Sequence, residues 1–219
     1  VWKLDLKLIK FLFLTSLPFG IINIINNLYF RFLPSFFAAK ALENAAFASF
    51  NISMHIASMS ALLSTFLMFS TLPVLKQSIE QGQRKRALEI FRTMRKILFA
   101  AAVAVVAGGS LLSPFLIKIL TGKEFVIPEF FFVLPLLLLL AGISYIYDLV
   151  LITLFALEKD IWFLKNELIA LALSLIFFGA SLLIDDTQTK ILLIITAAIT
   201  GETAMAALGL IKASKLLKD

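Results

Sequence analysis

The chain has 219 residues, of which 61% are hydrophobic and 16% charged, with a formal net charge of +6 and a mean hydropathy of +1.00. A soluble domain is roughly half apolar, so this composition excludes an ordinary water-soluble globule and predicts an all-α, polytopic membrane helix bundle. With no cysteine, disulfides, thiolate metal sites and thiol nucleophiles are excluded as well.

In chain order, residues 1–10 carry Lys3, Lys7 and Lys10 beside Trp2, as expected of a lead-in anchored at the membrane interface. The first predicted span covers 11–30, where Pro18 and Gly20 predict a kink. The second covers 45–72, with Asn44 as its expected N-cap and Pro73 near its end. The stretch 76–96 then holds Lys76, Arg84, Lys85, Arg86, Arg92, Arg95 and Lys96 against only Glu80 and Glu89. By the positive-inside rule this is a cytoplasmic loop. Its back half interleaves Ala87, Leu88, Ile90, Phe91 and Met94 with charge and is expected to lie as a helix on the headgroups.

A third span is predicted over 97–117, with Ala100, Ala104 and Gly108 as a small-residue ridge for close helix packing. After a polar turn come spans over 130–157, 161–184 and 191–211. The fifth is the weakest, because Lys165 and Glu167 stand at the entrance of its apolar core. Six crossings place both termini on one side. That arrangement gives the inner segments fifteen of the twenty Lys and Arg, so both termini are expected in the cytoplasm of a cell whose cytoplasmic membrane holds the protein. The basic residues cluster between spans rather than on one soluble face, so nucleic acid is not an expected partner and the bilayer is. The chain opens at Val1 and reads as a fragment.

Polar side chains inside the spans carry what the sequence says about function. In the first span Ser16, Gly20, Asn23, Asn27 and Arg31 recur at helical spacing with Asn26 alongside, which gives that helix one polar face. The second span repeats this with Asn44, Asn51, His55, Ser58 and Thr65. Amides facing hydrocarbon are costly, so these faces are expected either to line a water-filled cavity or to join helices. Asn23, Asn26, Asn27, Arg31, Asn51 and His55 are therefore the candidate cavity residues. Asp148 in the fourth span and Glu202 in the sixth cannot easily snorkel to water. Each is a candidate proton or cation coupling site, with a structural hydrogen bond as the alternative. A single histidine and one isolated acidic pair, Asp185-Asp186, give no metal site and no clustered acids for a membrane prenyl transferase or phosphatase. No enzyme activity and no cofactor are expected, and a purely structural membrane subunit is a further alternative.

Four segments in this order carry a family resemblance. They are Ser16-Leu17-Pro18-Phe19-Gly20 opening a kinked span, Leu72-Pro73 closing a long span before the basic loop, Leu120-Thr121-Gly122-Lys123-Glu124-Phe125, and Leu154-Phe155-Ala156-Leu157-Glu158-Lys159 leaving the fourth span. Over nearly its whole length the chain resembles the carboxy-terminal half of the polysaccharide and lipid-linked oligosaccharide flippases of the multidrug/oligosaccharidyl-lipid/polysaccharide exporter superfamily. The family often has glycine where this chain has Glu158. The resemblance implies one six-helix lobe of a two-lobe, alternating-access transporter, whose partner would be a missing amino-terminal lobe. The implied cargo is an oligosaccharide on a polyprenyl pyrophosphate, moved for polysaccharide biosynthesis, with Arg31, Asn23, Asn26 and Asn27 as candidates to meet the pyrophosphate. A cation-coupled multidrug exporter of the same fold is the alternative, served by Asp148 or Glu202.

Overall fold

The computed structural model describes residues 5–121 and 130–218. Among them every regular element is helical: α1 (Leu6–Asn27), a π-helical turn (Leu28–Phe32), α2 (Leu33–Ala41), α3 (Asn44–Glu80), α4 (Arg84–Leu111), α5 (Ser113–Thr121), α6 (Val133–Ala156), α7 (Asp160–Ser181) and α8 (Thr187–Leu216). Six helices are long and apolar enough to cross a bilayer, and they correspond to the six predicted spans. In hydrocarbon a spanning chain must satisfy its backbone internally, which a helix does. The chain is a polytopic membrane bundle.

Helix α6 is its axis. It packs against α3, α4 and α8, while α7 lies against α8 and α1 against α7. Most of the apolar window of α6 is buried, whereas α1 and α4 expose most of theirs. Two contacts explain how α6 is held so closely. At Gly142 a Cβ would come within 2.8 Å of the Val106 side chain of α4, and at Gly209 of α8 it would collide with Val150. Small residues let membrane helices approach. The predicted ridge is not where this happens: Ala100 and Ala104 are exposed, and Gly108 has open space before it.

Several boundaries differ from those read in the sequence. Helix α1 continues through Pro18, and the departure from α geometry falls later, in the π turn. Helix α3 starts after Glu43, whose extended backbone (φ −70°, ψ 161°) precedes it without a side-chain cap, so Asn44 is its first residue rather than its cap. The basic stretch is not a loop. Helix α3 carries on to Glu80 and α4 begins at Arg84, leaving a short turn in which Gly82 adopts φ +68°. The first turns of α4 do not lie apart from the bundle either, since Ala87 and Phe91 are buried in the same apolar cluster as Leu154 and Leu217. Trp2, Lys3 and most of the third resemblance segment, residues 122–125, lie outside the described residues.

Candidate functional site

The middle of α6 reads Ser144-Tyr145-Ile146-Tyr147-Asp148, and at about 100° per residue its polar side chains fan out toward three neighbours. Toward α3, Tyr145 Oη donates to the Ser60 carbonyl at 2.6 Å, and Asp148 Oδ2 accepts from Ser64 at 2.5 Å and Thr65 at 3.1 Å. Toward α8, Ser144 Oγ meets Glu202 Oε2 at 2.7 Å. Toward α7, the Tyr147 ring packs edge-on against Phe163, with centroids 5.4 Å apart. The Tyr147 hydroxyl lies beside Asn26 of α1 and Glu167 of α7 but completes no hydrogen bond of good geometry.

Three carboxylates thus gather around one helix. Glu202 is 2% exposed and Glu167 4%, and Glu202 is within electrostatic range of both Asp148 and Glu167. One oxygen on each glutamate, Oε1 of Glu202 and Oε2 of Glu167, is buried without a hydrogen bond. No Lys or Arg is buried among the described residues, so these acids have no cationic partner there. Burying unpaired carboxylates is expensive.

Between α1, α3 and α6 lies a cavity of about 240 Å³ lined by Asn23, Asn26, Asn27, Thr65 and Asp148, with Phe19, Met68 and Phe69 among its apolar walls. Sequence periodicity predicted the asparagine face, and the fold brings it to one of the two predicted acids. The amides of Asn23 and Asn27 also brace their own helix, donating to the carbonyls of Phe19 (3.2 Å) and Asn23 (2.8 Å).

Other candidates fall elsewhere. Asn51 and His55 do not line this cavity: His55 is exposed, and both sit more than two turns along α3 from Thr65, the one member of their stripe that reaches it. Arg31 stands in the π turn, and its side chain lies outside the described residues. Glu202 belongs to the α6–α8 contact rather than to the cavity wall.

The sequence reading placed Glu167 at a membrane entrance, yet it is buried. The signal was its place one turn beyond the apolar Phe163, on the same helical face, which the fold buries. The polar residues divide between both expected uses: Ser64, Tyr145, Ser144 and Glu202 join helices, Asn23, Asn26 and Asn27 line space, and Thr65 and Asp148 do both. Among the described residues no group of three His, Asp or Glu side chains is placed to hold a metal ion. Compared with known proteins, the chain matches no family model, no curated protein and no solved structure.

Proposed function

We propose that the chain is one lobe of an alternating-access membrane transporter of the flippase type, moving a polyprenyl pyrophosphate-linked oligosaccharide across the cytoplasmic membrane. The observation that supports transport is the asparagine-lined cavity ending on Asp148, since amides within a membrane span belong where water or a polar cargo reaches them. The cargo is carried by the sequence resemblance alone, and the cavity would form only this lobe's share of a larger passage.

The second reading, a cation-coupled exporter of the same fold, is favoured by a separate observation. Asp148, Glu167 and Glu202 form a carboxylate set with no buried base among the described residues. Such a set suits proton or cation coupling.

One experiment tests both. In proteoliposomes containing this lobe joined to its amino-terminal partner lobe and a fluorescent polyprenyl pyrophosphate-linked sugar, flipping is expected, and Asn26→Leu with Asn27→Leu should cut it by about tenfold, the loss of roughly one well-made hydrogen bond to a charged group. No flipping by the parent, with proton-driven efflux of a cationic dye that Asp148→Asn abolishes, would replace the first reading with the second. Because the chain has no cysteine, single cysteines at Asn23 and Asn27 report directly on water access. Failure of both to react with a water-soluble maleimide would remove the cavity from either mechanism.

A further inference from the structure

On the face of the bundle between α4 and α8, floored by α6, runs an apolar groove of about 530 Å³ lined by residues such as Phe99, Val103, Val106, Ile143, Ala207 and Leu210. No charged side chain lines it. A second hollow of about 450 Å³ adjoins it, lined by Arg95, Ser214, Lys215 and Lys218 and sharing Leu210 with the groove. The two are continuous along both helices, because Phe99 is one turn beyond Arg95 and Ser214 one turn beyond Leu210. None of Arg95, Lys215 and Lys218 is ion-paired among the described residues, and no carboxylate lines either hollow.

We propose that this composite groove holds a resident anionic phospholipid of the bilayer, its acyl chain between α4 and α8 and its phosphate against Arg95, Lys215 and Lys218. The match is one of shape and charge along a single axis. Arg95 and Lys215 sit where α4 and α8 leave their apolar stretches, which is headgroup level, and basic residues placed there between spans recognise anionic headgroups. From Arg95 to Ser110 the wall of α4 is about 22 Å long, enough to follow a chain through one leaflet, half of the ~30 Å hydrocarbon core. An apolar protein helix in this groove would leave the three cations at its end unpaired, whereas an anionic amphiphile uses both ends. The site also lies on the side bearing the basic α3–α4 turn, expected to be cytoplasmic, where anionic lipids attract such clusters. It stands apart from the Asn23–Asp148 cavity and does not depend on the transport reading.

Native mass spectrometry of the full chain, released from nanodiscs of equal phosphatidylglycerol and phosphatidylcholine, tests the assignment. Phosphatidylglycerol is expected to be retained about tenfold over phosphatidylcholine, and the exposed triple change Arg95→Gln, Lys215→Gln, Lys218→Gln should bring the two to parity. Ala207→Trp, which fills the groove, should reduce retention of both lipids; if that variant does not fold by circular dichroism, the triple variant decides alone. Parity in the parent protein, or a preference that survives the triple change, overturns the proposal. So does complete displacement by inorganic phosphate, which would leave an anion site without a chain, or displacement by substoichiometric polyprenyl phosphate, which would make the groove a cargo site.

Discussion

The Ser144 hydroxyl on α6 stands 2.7 Å from Oε2 of Glu202 on α8, and the other carboxylate oxygen of Glu202 is buried with no hydrogen bond. One hydroxyl therefore carries most of the polar satisfaction of an otherwise isolated acid. Ser144→Ala should destabilise the bundle by about 1–3 kcal/mol, because it leaves a buried acceptor unpaired. Glu202→Gln keeps an acceptor for Ser144 and discards the charge, so it should cost less. Thermal unfolding in detergent compares the two, and the reverse order would show that the carboxylate has polar contacts beyond Ser144.

Gly209 marks the closest approach of α8 to α6. Any Cβ there meets Val150, so Gly209→Leu should lower stability by about 1–3 kcal/mol through overpacking. Gly179 of α7 has nothing within 4 Å, and Gly179→Ala should be neutral or stabilising by up to about 1 kcal/mol, since glycine weakens a helix interior. Detergent melting curves that showed equal effects at the two sites would contradict the packing.

Glu158 follows α6 with φ +56°, in the left-handed region that favours glycine. Glu158→Gly relieves a backbone cost of about 1 kcal/mol, part of which returns as unfolded-chain entropy. The expected result is a small rise in melting temperature, whereas Glu158→Val should lower it.

Asp186 caps α8, accepting from the Thr189 amide at 2.7 Å and the Thr189 hydroxyl at 2.6 Å. Those two hydrogen bonds hold its carboxyl below the ordinary aspartate value. A folded-state pKa below the unfolded one means that the cap contributes fully above the unfolded value and fades as pH falls through the folded one. The protection of the first-turn amides of α8, taken against the intrinsic exchange rate at each pH, should therefore fall on acidification into that range. Asp186→Asn should keep most of the protection and lose its pH dependence; an unchanged pH dependence would assign the effect to another group.

The number and order of the crossings were legible because runs of about twenty apolar residues have few other uses. The asparagine face of α1 was legible too, since its spacing repeats with the helix turn. What each face meets was not, because periodicity fixes a direction on one helix and leaves its neighbour unspecified. Thus Asn51 and His55 resembled Asn23 and Asn27 in pattern, yet only the latter pair came to line the cavity that Asp148 of α6 shares. The basic stretch misled for a different reason. Charge marks where a chain leaves hydrocarbon, but α3 and α4 keep their hydrogen-bonded ladder in water and bury Ala87 and Phe91 against the bundle.

Helix α3 has 37 residues, a length of about 55 Å, well beyond a ~30 Å hydrocarbon core. Ser64 and Thr65, clasped by Asp148, fall near its midpoint. Were Asp148 to gain or lose a proton and loosen that clasp, α3 would act as a lever with roughly 26 Å of arm between Ser64 and the turn at Gln81. A swing of only about 10° there carries the tip some 4–5 Å. A spectroscopic label at Gly82, far outside the bilayer, would then register the ionic state of a carboxylate deep within it.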